Sequence, residues 1–419
     1  MVDFSVPFNA SFANAFPAAW KVQAPAVLGV LTPEMMREGV GIGNQAADDE
    51  AIRLAVAALQ DGWALSFPNT YWTAGNIQYT GKRSFIGHGR SGGVKLIGGL
   101  TVKGVFIPAS WVTTTEADMQ AVAQATKFRP TFYEMSVDCS SDLGSVCEGG
   151  IVFSSSEGEY IGNRVINASG VGILGTPFNS AGFTQTSGNM LQNKIMHNRI
   201  SGSGVGGIRT DDGQNETRIT DGICSHNSIT NGSEAAIRID AAQGWGITDN
   251  QTSATLHGIF CLKANHTTIT SNRINAYGNK TTTGNRYGIF AGGLTTSQSM
   301  TLASGNTIEA NYNATAGAGT SKWISVGFTD RSPASGKKVV HIGPNTHSFT
   351  GFSGTTGKTS GVEQISGAGG DDALNGLISG NSFVSDQNIN GSMTDTPIVL
   401  LGAAHIRSII NQNGQSVLN

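Results

Sequence analysis

Six short apolar phrases in the middle of the chain begin with isoleucine, at Ile151, Ile173, Ile208, Ile237, Ile259 and Ile289. Set in register, the next position reads Val152, Leu174, Arg209, Arg238, Phe260 and Phe290. Two residues further on, the column reads Ser154, Thr176, Asp211, Asp240, Leu262 and Gly292. Side chains alternate along a strand, so inward isoleucines would turn both columns to solvent. Two arginines and two aspartates from adjacent phrases then form a square on one outer face. Strands stack ~4.8 Å apart, which would bring Asp211 and Asp240 to about 5 Å, the separation used by retaining glycosidases. Like charges this close raise one carboxyl pKa and supply an acid beside a base. Asp212 and Glu216 add carboxylates in the neighbouring turn. Arg209, Arg238 and Lys263 suit an anionic sugar or temper the repulsion. Trp245, Phe260 and Phe290 offer apolar faces on which sugar rings can lie.

The competing explanation is a solvated, salt-bridged sheet face with no chemistry. Charged residues make up only 13% of the chain, about half the usual share, and their concentration here favours function. A second acidic group, Asp138, Asp142 and Glu148, fits turn chemistry or a Ca²⁺ loop equally well. His257 and His266 read as structural or solvated turn residues.

What positions these columns is a repeat. Near-copies of one phrase surround Asn163, Asn198, Asn227, Asn250, Asn272, Asn306, Asn345 and Asn381, as in Met196-His-Asn-Arg-Ile and Thr270-Ser-Asn-Arg-Ile. The steps are 35, 29, 23, 22, 34, 39 and 36 residues. A floor near 22 with variable excess is a solenoid with loops inserted into some turns. The flanking words are β-branched and small, so each repeat is a β coil. An asparagine at the same corner of every coil can bond backbone and its own counterpart in the next coil.

Composition agrees. Glycine, at 57 residues, is about twice the usual share, as tight stacked coils require. A net charge of −3 leaves no basic footprint for nucleic acid or an anionic membrane. No apolar run reaches the ~18 residues of a membrane span. The first cation is Lys21, so the N-terminus does not read as a secretory signal. Cys139, Cys147, Cys224 and Cys261 lack metal-pair spacing; buried thiols are expected, although Cys139 and Cys147 could close a small loop.

The chain divides into an N-terminal arm over 1–35, a capping helix with first coils and a helical insertion over 36–130, regular coils over 131–349, and a loop with C-terminal coils over 350–419. Phe4, Phe8, Phe12, Phe16 and Pro17 mark the arm. The capping helix runs from Asp48 to about Leu59, with Ile52, Ala55, Val56 and Leu59 on one face. Glu116 to Lys127 reads as a second short helix, and 350–375 as a long Gly/Ser/Thr-rich loop.

Asp48-Asp49-Glu50-Ala51-Ile52, followed by Phe67-Pro-Asn-Thr-Tyr71, resembles the opening of the pectate-lyase-like superfamily: an acidic D-D-x-x-A-I helix, then an F-P-x-G-x-Y strand. Asn69 stands where that motif has glycine, a change that tolerates the left-handed conformation. The motif covers about residues 45–110; beyond it only the repeat style matches. The resemblance implies an all-β fold, a right-handed parallel β-helix with an N-terminal capping helix, as in bacteriophage tailspikes and extracellular polysaccharide-degrading enzymes. It does not fix the chemistry.

The expected function is cleavage of a polysaccharide glycosidic bond by a tailspike-like glycoside hydrolase using paired carboxylates, without metal or cofactor. The alternatives are a polysaccharide lyase, with Ca²⁺ held by Asp211 and Asp240 and Arg209, Arg238 or Lys263 as base; a fructan- or glucan-rearranging transferase; or a non-catalytic adhesin. The expected partners are a polysaccharide and, from the resemblance, two further copies in a homotrimer, with no nucleic acid and no membrane. The expected location is the virion or the extracellular space.

Overall fold

The computed structural model describes residues 29–410 except 90, 116, 119–128, 178–189, 211–218, 241, 263, 265, 279–283, 295–299, 312–320, 331–337, 351–357, 367–373, 386–395 and 400–405. Among these residues the chain winds as a right-handed parallel β-helix. Each full coil visits three sheets in turn. Lys194–Met196 lies in sheet 1, Arg199–Ser201 in sheet 2 and Gly206–Thr210 in sheet 3. Among the described residues sheet 1 has thirteen strands and sheets 2 and 3 have eleven each.

The register follows from what the interior will accept. In sheet 3, Ile151, Ile173, Ile208, Ile237, Ile259 and Ile289 are successive Cα partners and are all buried. A slip of one residue would turn that column to water. Toward the N-terminus the filling is aromatic instead. Phe85 stacks on Phe132 at 4.8 Å, Phe132 on Tyr160 at 5.8 Å and Phe153 on Tyr160 at 4.5 Å.

Between sheets 1 and 2 the chain turns sharply in every regular coil. Gly162, His197, His226, Asp249, Ser271 and Gly305 all have φ between 56° and 70°, a left-handed conformation rare outside glycine. The next residue is always the repeat asparagine, and all eight are buried. Each Nδ2 from Asn163 to Asn345 donates to the Oδ1 of the asparagine one coil on. Asn227 to Asn250 spans 2.9 Å and Asn250 to Asn272 spans 3.0 Å. Each also donates to a carbonyl behind it; for Asn250 this is Cys224 O, at 2.9 Å. Every Oδ1 from Asn198 to Asn345 also accepts the preceding asparagine's backbone N–H. The ladder expected from the spacing therefore runs from Asn163 to Asn381.

Helix α1, Gln45–Ala58, closes the N-terminal end. Asn44 caps it through Oδ1 to Ala47 N–H, and Ala47, Ala51, Ile52, Ala55 and Val56 face the core. The two acids of the motif are fasteners. Asp48 accepts Gly41 N–H at 2.8 Å and Trp72 N–H at 3.1 Å. Asp49 accepts Thr73 Oγ1–H at 2.9 Å and Ala74 N–H at 2.8 Å. Together they tie the cap to the first strand of sheet 2.

Some expectations change. Within the expected loop at 350–375, Lys358–Ser366 forms a strand of sheet 3 with Val362 in the core. Its Val-Glu-Gln-Ile word is too short to register against the surrounding Gly and Ser. Cys139 and Cys147 are not bridged; all four thiols are free and buried. Of the expected helix at Glu116–Lys127 only Ala117 and Asp118 are described, both helical; the remainder, like residues 1–28 of the arm, lies outside the described residues.

Candidate functional site

The outward column of sheet 3 is as the register implies. Leu174 pairs with Arg209, Arg209 with Arg238, Arg238 with Phe260 and Phe260 with Phe290. The arginines sit between two apolar patches on the same outer face. On the N-terminal side Ile107, Trp111, Val152, Val171 and Leu174 form one cluster. On the C-terminal side Tyr287, Phe290 and Ile324 form another, with Phe260 and Leu262 against it. Charges flanked by apolar surface act at a lower effective dielectric than charges on a wet sheet.

At the boundary lies a depression of about 250 Å³, lined by Glu234, Ala235, Arg238, Leu256, His257 and Phe260. Arg238 organises it. Its Nε donates to Asp240 Oδ1 at 2.7 Å, and one terminal nitrogen stands 3.7 Å from Glu234 Oε2. Its guanidinium carbon is 5.8 Å from the Phe260 ring centre. Asp240 itself is buried, at 6% exposure, and its N–H donates to Thr210 O one coil back.

His257, expected to be a structural or solvated turn residue, lines this depression instead. Its Nδ1 accepts the backbone N–H of Tyr287 at 3.2 Å, which leaves the ring proton of the neutral form on Nε2. Burial, together with the charges of Arg238 and Arg286, lowers its pKa to about 4. The ring is therefore neutral at ordinary pH. It lies 5.3 Å from the Phe260 ring and 5.4 Å from that of Tyr287.

The residue opens the strand His257–Leu262 and is not in a turn. In the structure the alternation breaks at this corner: Ala236 and Ile237 both enter the core, and Ala235 and its partner His257 come out beside Arg238 and Phe260. Tyr287 follows His257 in the same outer position.

The other expected residues divide three ways. Arg209, Arg238, Asp240 and Phe260 come together on one face. Phe290 is on that face but only 6% exposed; it backs Phe260, ring to ring at 4.5 Å, and presents little surface of its own. Trp245 does not belong to the site. It is 1% exposed inside the stack, with Nε1 donating to Ile219 O at 3.0 Å; the coil interior has room for the indole, which therefore offers no face to a sugar. Asp211, Asp212, Glu216 and Lys263 lie outside the described residues, so the Asp211–Asp240 spacing stays a sequence-based expectation. Among the described residues no three His, Cys, Asp or Glu side chains gather to hold a metal ion.

No protein-family model matches the chain, and no curated protein matches it. Solved structures do. The mannuronan C-5 epimerase AlgE4 A-module of Azotobacter vinelandii is similar with a TM-score of 0.51 and 12% identity, covering 89% of this chain and 98% of that one. The AlgE6 A-module of the same organism gives 0.49 and 12%, over 89% and 96%. Tailspike protein 2 of an Escherichia coli O157:H7 bacteriophage gives 0.44 and 11%, over 92% of this chain and 44% of its own. At this identity the likeness speaks to architecture alone, and on that the coils, the capping helix and the AlgE4 module agree: the chain is a right-handed parallel β-helix protein, of the fold that its opening motif resembles.

Proposed function

We propose that the protein cleaves glycosidic bonds of a polysaccharide bound on the outer face of sheet 3, as a tailspike-like depolymerase. The observation that carries this reading is the depression in which Glu234 and the Arg238 guanidinium stand beside a neutral imidazole and an accessible phenyl ring, with the buried Asp240 bonded to that guanidinium from behind the lining. Glycoside hydrolysis needs two carboxyl groups in different surroundings, one donating a proton and one acting as base or nucleophile. Asp240 is buried and oriented by Arg238, which suits the second role. Glu234, at the rim, and Asp211 of the neighbouring coil are the candidates for the first, with Asp212 and Glu216 nearby in sequence. His257 would donate from Nε2 to a sugar hydroxyl, and Phe260 would lie against a sugar ring.

A pKa of about 4 makes His257 a weak base, poorly matched to abstracting a carbon-bound proton. The lyase alternative therefore keeps Arg209, Arg238 or Lys263, and not His257, as its base. Hydrolysis needs no cofactor; Ca²⁺ belongs to the lyase alternative, with Asp211 and Asp240 as its ligands. The superfamily resemblance extends the proposal to a homotrimer on a virion or outside a cell. Among the described residues no helix is long and apolar enough to cross a membrane.

The test is incubation with capsular, O-antigen and plant polysaccharides, with product masses measured. New reducing ends on saturated products support hydrolysis. Unsaturated products lost on adding EDTA would replace it with the lyase, rearranged linkages with a transferase, and binding without turnover with an adhesin. Sedimentation of the intact protein tests the trimer.

A further inference from the structure

Sheet 2 carries a second charged column, on a different face from the depression. The outward position after the asparagine corner reads Arg164, Arg199, Ser228, Gln251, Arg273 and Thr307, each the Cα partner of the next. Elsewhere this chain sets opposite charges across its coils: Lys194 on Glu159 at 2.8 Å, Lys103 on Glu148 at 2.7 Å, Lys95 on Asp138 at 3.5 Å. Here Arg164 stands directly opposite Arg199. Like charges facing each other on a sheet are destabilising. Among the described residues none of these three arginines is in an ion pair. Arg199 and Arg273 are exposed and Arg164 is half-buried.

Imidazoles and carboxylates border the column. At the adjoining corner the His197 and His226 rings lie 4.8 Å apart. The acids near the column include Glu134, Asp249, Asp138 and Glu309; Asp249 stands 4.0 Å from His226 Nε2, Asp138 faces Lys95, and Glu309 lies two residues beyond Thr307, the partner of Arg273. Between the arginines the column offers a hydroxyl and an amide, from Ser228 and Gln251. Beside the arginines the parallel outward column, Ile166, Ser201, Thr230 and Ser253, carries no aromatic ring; Trp72 stands three coil steps further toward the N-terminus, with Lys95 over its ring, so a row of rings for stacking the bases of a single-stranded nucleic acid is lacking along the strip.

We propose that this column is an accessory binding strip for a linear anionic polysaccharide lying along the β-helix axis. From Arg164 to Arg273 it spans four coil steps of ~4.8 Å each, a ruled row of cations and hydrogen-bonding groups matched to a chain of carboxylated sugars. The strip rests on the polysaccharide reading only for the choice of ligand. It holds a long substrate on sheet 2 while sheet 3 acts on another part of it.

The test measures binding of the full protein to polygalacturonate and to dextran, at low and raised salt, for the wild type and the triple variant Arg164→Gln, Arg199→Gln, Arg273→Gln. The expected result is roughly tenfold weaker polygalacturonate binding in the variant, with a shallower salt dependence. Dextran binding and turnover of short oligosaccharides stay unchanged. Equal affinity of variant and wild type for polygalacturonate would overturn the proposal. So would wild-type binding of dextran as tight as that of polygalacturonate, or tighter binding of an oligothymidylate probe. Asp240→Asn separates the two readings: polygalacturonate binding that persists in this variant stands whether or not the sheet 3 site is catalytic.

Discussion

Two columns run through successive coils of this molecule and could hardly differ more. The asparagine corner repeats one residue type through eight coils, every amide fully bonded and every side chain buried. The outward column of sheet 3 changes character along its length, from Ile107, Val152 and Leu174 through Arg209 and Arg238 to Phe260 and Phe290. A column that only has to hold coils together faces the same neighbours in each coil, and the same residue solves it each time. A column that meets a ligand faces different atoms at each step, and uniformity is lost there. Heterogeneity on an otherwise regular solenoid is therefore the marker of function in this fold.

The sharpest break of that contrast is Asp240→Asn. It should cut turnover of the responsive polysaccharide by roughly 10²-fold or more, since positioned acid–base chemistry is worth ~10²–10⁴, while the unfolding midpoint stays close to wild type. Retained turnover would reduce the outer column to a solvated face.

Asn250→Ala should do the reverse, leaving the site chemistry alone and destabilising the fold by roughly 3 kcal/mol. It removes the acceptor of Asn227 N and Nδ2 and the donor to Cys224 O and Asn272 Oδ1, and a buried polar group left unpaired costs ~1–3 kcal/mol. The neighbouring exposed Gln251→Ala should change stability by less than about 0.5 kcal/mol. Equal urea midpoints for the two variants would remove the ladder as a source of stability.

One histidine beside each column links the contrast to pH. His347 is buried in sheet 2, its ring 3.2 Å from Asn381 Oδ1. Burial lowers its pKa to about 4, the bond to Asn381 working the other way. His257 has the same depression on the outer face. The unfolded chain takes up these protons near pH 6.5, and the folded chain refuses them until about pH 4. Stability should thus be full above pH 6.5, fall as the pH drops toward 4, and level off below, by as much as about 3 kcal/mol per histidine. His347→Phe should flatten its share of that slope in urea unfolding at pH 7 and pH 4.5. An unchanged slope would mean that the ring is solvated.

The smallest effects belong to the rim. Phe260→Ala should weaken binding of long chains several-fold, about 1 kcal/mol, and short ones less. Arg238→Ala should raise KM more than it lowers kcat if it holds substrate, and lower kcat if its main task is orienting Asp240. Steady-state kinetics on matched long and short substrates decide between these.

The sequence alone determined the coil, because its signals are local and repeated. The asparagine steps, the registered isoleucines and the Asp48-Asp49 fasteners each reflect a constraint acting within a few residues or between adjacent coils, and each recurs or matches a motif. The same register placed Arg209, Arg238, Asp240 and Phe260 on one outer face. Only the tertiary structure decided which neighbours share a depression. Two consecutive inward residues, Ala236 and Ile237, break the alternation and bring His257 out to the site. An indole-sized space inside the stack takes Trp245 in and removes it from the surface. The Tyr287 cluster covers Phe290 and leaves Phe260 as the accessible ring. Each of these depends on volume and on contacts across coils, and side-chain order along the chain encodes neither.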